Sequence, residues 1–272
     1  MRMKPNARKL IIGLALSAIL AAMLACGGTP TALTATATAS VLPTETSLPT
    51  QTSVPLYQLV TLDSITRHEV SESPIYTLDA QIPVLQGSDD PRVINFNNEM
   101  TQLTQEEIAS FKDNARMTLS LPGSTGSFFD QGYKLLSPAG NLLSLRFEIM
   151  IYIKDAAHPA SHSRTVTYDL QAGADVRLEQ LFLPGSDYLE TIANYCITQL
   201  ETRDIGFESF SNGAQPVPEN YGIWNLTPDG LLITFDEYQV AAYAAGPQEV
   251  VVPYAELQSV IDPNGPLAAV LQ

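Results

Sequence analysis

Apolar residues recur in two periods along the chain, and the period changes with position. Alternating or β-branched apolar positions over Leu56–Ser64 and Ile75–Leu85 predict two early strands, with Pro74 and Pro83 marking a break or a sheet edge. After Asp89-Asp90-Pro91 the spacing widens. Val93, Phe96, Met100, Leu103, Ile108, Phe111 and Ala115 step by mostly three or four residues, which predicts a helix whose stripe covers a sheet face, with a break near Thr104. The acids at its start complement the helix dipole. Phe128–Leu136, Leu142–Lys154 and Thr165–Leu170 return to strand patterning, separated by turn signals at residues 137–141 and around His158-Pro159.

Pro184-Gly185-Ser186-Asp187 predicts a turn and cap, and Glu190 three residues after Asp187 completes a capping-box pattern for a helix over Tyr188–Leu200. Ile223–Leu226, Thr227-Pro228-Asp229-Gly230 and Leu231–Phe235 spell a hairpin, followed by a strand at Glu249–Val252 and a short helix at Tyr254–Ile261. Runs of strands with segregated helices give an α+β class, an antiparallel sheet meander with helices packed on one face.

The N-terminus follows different rules. Arg2, Lys4, Arg8 and Lys9 precede the apolar run Leu10–Leu24, the layout of a secretory signal over residues 1–25. A run of fifteen residues is short of the roughly 20 that a transmembrane helix needs. The segment Met23-Leu24-Ala25-Cys26-Gly27 resembles a bacterial lipobox, which implies a cut before Cys26 and acylation of its thiol and new amino group by palmitate-type chains. Each buried methylene contributes about 0.8 kcal/mol, so two or more chains hold a protein on a membrane where one would not. The expected location is extracytoplasmic, lipid-anchored to the bacterial cell membrane. Residues 26–55 continue as Thr, Ser, Ala and Pro without aromatics, a composition that cannot offset the entropy of ordering and predicts a disordered linker. Residues 56–160 and 161–272 are expected to form the N- and C-terminal parts of one ectodomain.

Charge then narrows the partners. The 272 residues carry a net charge of −15, and removal of the four leader cations takes it to −19. Nucleic acid is excluded as a partner, since phosphate binding needs a basic footprint. Cys196, within a predicted helix and with no basic neighbour in sequence, reads as a small buried hydrophobe.

Candidate chemistry is sparse. There is no nucleophile elbow, Walker sequence, dinucleotide fingerprint or zincin helix, so no cofactor and no catalytic residue is assigned. The chain holds three histidines. Asp155, His158 and His162 fall within eight residues and offer one oxygen and two nitrogens, but Pro159 between the histidines favours a structural loop over a metal site. His68, beside Arg67 and Glu69, reads as solvated. Asp236-Glu237 would point to opposite sides of a strand and so does not by itself make a glycosidase pair. Tyr238 and Tyr243 lie close to Phe235 and ahead of Gly246-Pro247, and tyrosine's apolar body and polar tip suit contact with sugars or protein surfaces as well as core packing.

Ile82-Pro83-Val84-Leu85-Gln86-Gly87, ahead of the Asn-rich helix, resembles a module that precedes the catalytic domain of a peptidoglycan N-deacetylase. Leu143–Phe147, Asp155-Ala156-Ala157-His158, Tyr168-Asp169-Leu170, Leu181-Phe182 and the block Phe235–Gly246 before Val252-Pro253-Tyr254 resemble the ectodomain of anti-sigma-V factors. The likeness spans about residues 75–260, and the last block is its most specific part. It implies an α+β fold and a lysozyme-binding, sensor-like role. Where the family has glycines around the histidine, this chain has Asp155-Ala156-Ala157-His158-Pro159. With nine residues ahead of the apolar run and none after residue 272, a sensing module without a sigma-binding segment or a deacetylase domain is expected.

The resulting expectation is a surface lipoprotein whose ectodomain binds a cell-wall component or a lysozyme-like protein, with His158, Tyr238 and Tyr243 as ligand-binding candidates and Cys26 as the lipidation site. A wall-glycan-modifying enzyme and a structural lipoprotein are the alternatives.

Overall fold

A computed structural model describes residues 54–118 and 126–271. Cys26, the leader and the linker up to residue 53 lie outside the described residues.

A six-stranded sheet runs in the order β1 (Thr61–Glu72), β2 (Ile75–Gln86), β3 (Ser127–Ala139), β4 (Leu142–Tyr152), β5 (Ala160–Asp169) and β6 (Ala174–Asp175). All its pairs are antiparallel except β2 with β3. The expected meander is therefore corrected at one place. The helix α1 (Pro91–Met117) carries the chain from β2 to β3, and a crossover of that length allows the second strand to run parallel. Pro83 sits in the half of β2 beyond the β3 register, where a missing N–H costs least.

Asp90 starts α1 by accepting the Arg92 N–H at 2.9 Å, with Pro91 in the first turn. The helix continues through Thr104 without the expected break, because Thr104 is buried and accepts a hydrogen bond at 2.9 Å from the Gln131 side chain in β3. Phe96, Met100 and Phe111 of its stripe are fully buried against Leu78, Phe129, Leu145 and Phe147 of the sheet. Burial of each such side chain contributes about 2–3 kcal/mol.

The chain then enters a second core. It comprises α2 (Tyr188–Glu201), the antiparallel sheet β7 (Trp224–Leu226), β8 (Gly230–Phe235) and β9 (Gln248–Pro253), and α3 (Tyr254–Leu257). Among the described residues α1 is the helix that covers the inner face of the six-stranded sheet, while α2 packs in this second core. The Asp187 side chain makes no cap bond. Its carbonyl instead accepts the Thr191 N–H and hydroxyl, both at 3.0 Å.

Side chains on alternate positions of β4 tie the two parts together. Ser144 Oγ accepts the Leu226 N–H at 2.9 Å and the Asn225 amide at 3.0 Å, and pairs with Thr167 Oγ1 at 3.0 Å, all buried. Two positions on, the Arg146 guanidinium reaches Glu249 Oε1 of β9 at 2.6 Å and Thr234 Oγ1 of β8 at 3.2 Å. β1 begins and ends later than its pattern predicted: Leu56–Gln58 form a short 3-10 turn, and the strand runs on to Glu72. Most of its positions are exposed, so it carries no strong apolar alternation in its second half.

Candidate functional site

The strand β5 divides its side chains between two surroundings. His162 and Arg164 turn toward α1, where Glu107 accepts from both, at 3.2 and 2.7 Å. The hydrogen bond from His162, together with Arg164, outweighs desolvation and holds the Glu107 carboxyl below its ordinary range. Ser161 and Ser163 turn the other way, toward the segment that follows β8. Asp236 Oδ2 accepts the Ser163 N–H at 3.0 Å, and Glu237 accepts the Ser161 hydroxyl at 2.5 Å and its N–H at 3.3 Å. Asp236 and Glu237, adjacent in sequence, thus clasp alternate residues of one strand.

That clasp positions a cluster of rings. Tyr238 follows at φ +67°, a conformation that costs a non-glycine residue energy and is over-determined here by its neighbours. Gln239 donates to the carbonyls of Gly213 at 3.0 Å and Asn220 at 2.9 Å. Gly213 is required at that contact, because a Cβ there would lie 1.8 Å from the Gln239 carbonyl oxygen. Tyr238 is 56% exposed, and its ring stacks on Tyr243 at 5.7 Å between centroids. Tyr243 in turn lies 4.0 Å from the imidazole of His158, at an interplanar angle of 31°. The Tyr243 hydroxyl and His158 Nδ1 both reach the Pro159 carbonyl, at 2.9 and 2.8 Å. The three ring residues singled out from sequence therefore converge on one surface, although 80 residues separate His158 from Tyr238.

His158 and His162 part company, one packing on Tyr243 and the other pairing with Glu107, and Asp155 is exposed at φ +69°. Among the described residues no group of three His, Cys, Asp or Glu side chains is placed to hold a metal ion. His68 is exposed as expected, and its Nδ1 lies 2.7 Å from Asp79 on the neighbouring strand. Cys196 is fully buried, and desolvation pushes its thiol up to about 12, away from any nucleophilic form.

A cleft of about 360 Å³ opens between the outer face of β3–β5 and the ends of β8 and β9. Its lining includes Asp130, Arg146, Glu148, Ser161, Asp236 and Glu249. Desolvation works against ionisation of Glu148, but its bond to Lys134 and the charge of Lys134 and Arg146 hold its carboxyl below the usual range. Sequence reading missed this cleft. Arg146 and Glu249 are 103 positions apart and carry no motif, and each is an ordinary strand residue until the two sheets meet.

Residues 179–255, which span α2 through β9 and include the Asp236–Gly246 segment, match the family model described as protein of unknown function (DUF3298). The chain is 26% identical over 132 residues to the peptidoglycan-N-acetylmuramic acid deacetylase PdaC of Bacillus subtilis strain 168; the match takes in 47% of this chain and 28% of that relative. Among solved structures, a DUF3298 family member from Bacteroides fragilis superposes with a TM-score of 0.60 at 17% identity, over 78% of this chain and 97% of the other. A DUF3298 family protein from Pseudomonas aeruginosa PAO1 gives 0.49 at 17% identity, over 75% and 95%. The Bacteroides likeness establishes a shared α+β fold.

Proposed function

We propose that the chain is a surface-anchored lipoprotein with a non-catalytic, sensor-like ectodomain that binds a cell-wall component or a lysozyme-like protein. The observation that carries this reading is the exposed ring ledge of Tyr238, Tyr243 and His158, held out from the body by the Asp236–Glu237 clasp. Exposed tyrosines held in place give large contact area at low entropic cost. The lipobox around Cys26 and the tether behind it support attachment outside the cell. Among the described residues no helix is long and apolar enough to cross a membrane. The relative's printed activity on peptidoglycan and the resemblance to anti-sigma-V ectodomains both favour ligands of the wall environment. A net charge of −19 after processing would steer a cationic protein such as lysozyme.

The test immobilises the full chain and measures retention of hen-type lysozyme and of purified peptidoglycan over a salt series. Retention of either, with lysozyme binding weakening as salt rises, is expected. Retention of neither at low salt overturns the proposal.

A further inference from the structure

One edge of the six-stranded sheet is long and open. β1 pairs with β2 along one side and with no other strand among the described residues, whereas the opposite edge, β6, is two residues long. Side-chain bonds show which backbone groups of β1 point outward. The Asn97 side chain of α1 accepts the Leu85 N–H at 2.7 Å and donates to the Leu85 carbonyl at 3.0 Å, so Leu85 turns both groups away from β1. Leu62, its partner in the register, therefore turns its own groups away from β2, and the other even-numbered residues of β1 do the same. Ser64 agrees, since its N–H donates to the Asp63 side chain at 2.7 Å. The strand also exposes apolar side chains, Ile65 at 55% and Val70 at 63%.

An unpaired row of backbone donors and acceptors is a template for another strand, and charges scattered along such an edge usually prevent pairing. On β1 the charges select one pairing instead. Lay a second copy antiparallel, with Ile65 facing its mate on a two-fold axis. Asp63 of each copy then lies opposite Arg67 of the other, Ser64 opposite Thr66, and Val60 opposite Val70. The outward-pointing even residues meet as hydrogen-bonded pairs. A slip of two residues toward the C-terminus sets Asp63 opposite Glu69, and a slip of four sets Arg67 opposite itself. A slip of six sets Arg67 opposite Glu69, but that carboxylate already accepts from Lys112 and Tyr76. Slips toward the N-terminus lose both ion pairs or set Asp63 opposite itself. We propose that β1 is a homodimerisation edge, through which two copies join their six-stranded sheets into one continuous sheet across a two-fold axis at Ile65. Such a contact uses the same edge of both copies and closes at a dimer. β5, which holds the ring ledge, lies across the sheet and takes no part in the pairing.

Charge reversal tests the register. Sedimentation velocity of the full chain in detergent, over a concentration series at about 0.15 M salt, where the net charge is screened beyond ~8 Å, is expected to show a reversible dimer. Asp63→Arg and Arg67→Asp each set two like-charge pairs across the axis and are expected to weaken the dimer at least tenfold, while the double reversal recovers it. Asp63 is exposed and Arg67 half-buried, and circular dichroism checks that each variant folds. Cross-linking gives a reading that needs no reversed charge. Under mild oxidation Ile65→Cys places two thiols at the axis and is expected to form a covalent dimer above the level of the parent chain. His68→Cys, on the axis of the register that sets Arg67 opposite Glu69, is expected to form none. Should a reversed chain not fold, the cross-linking decides. A chain that stays monomeric throughout the series overturns the proposal, as does a dimer that folded single reversals leave intact. A folded double reversal that fails to recover the dimer, or cross-linking at His68→Cys in place of Ile65→Cys, overturns it as well.

Discussion

Glu237 takes the Ser161 hydroxyl at 2.5 Å, and this one bond joins the start of β5 to the segment that presents Tyr238. Ser161 lies two residues after Pro159, whose carbonyl anchors Tyr243 and His158, so the bond ties both ends of the ring ledge. Ser161→Ala leaves the Glu237 carboxylate with only the Ser161 N–H from this strand residue. A loss of about 1 kcal/mol in stability is expected from urea denaturation, with a larger proportional loss of ligand retention because the ledge loosens.

Gly213 makes the same point from beneath the ledge. With a Cβ 1.8 Å from the Gln239 carbonyl oxygen, Gly213→Ala must push the Asp236–Tyr243 segment outward. The expected cost is about 1–3 kcal/mol. Tyrosine fluorescence and a thermal scan check it; an unchanged melting temperature would show that the segment is free to move.

A carboxyl pair away from the ledge sets a pH dependence. Desolvation, followed by a hydrogen bond with Asp175 and that residue's charge, raises Glu99 of α1 from about 4.5 to about 8. Between those values the folded chain holds a proton that the unfolded chain has released. The stability linked to Glu99 is therefore full below about pH 4.5 and lost as pH rises through 8. Glu99→Gln removes the titration. It is expected to gain ~1 kcal/mol over the parent at pH 9, a figure reduced for partial exposure, and little or nothing at pH 4. Urea midpoints at the two pH values measure the difference.

Strands and helices with a clean period were legible from sequence, as at α1, where seven apolar positions face one sheet. The parallel pairing of β2 with β3 was not, because periodicity records which side a residue faces and not which strand lies beside it. The Thr104 break was expected because a polar residue interrupts the stripe; the partner that keeps it in the helix, Gln131, lies 27 positions away. The second half of β1 gave no apolar alternation because its half-buried face carries Arg67, Glu69 and Ser71, all polar. At the site, the three rings could be named as types suited to contact, and their convergence depended on the fold. The cleft had no sequence signal, since Arg146 pairs with Glu249 only once the two sheets come together.

The proposed anchor has its own check. Mass spectrometry of the native product is expected to find Cys26 as the first residue, carrying acyl chains on its thiol. An unmodified Cys26 behind an intact leader would remove the membrane attachment from the account.

The ring ledge is the central claim, and the direct measurement is binding of hen-type lysozyme and of purified peptidoglycan to the full chain and to Tyr238→Ala/Tyr243→Ala at low salt. Tyr238 is exposed and Tyr243 only half-buried, so the double variant is expected to fold and to lose at least tenfold in affinity for whichever ligand the parent retains. Equal binding by a folded double variant would contradict the account.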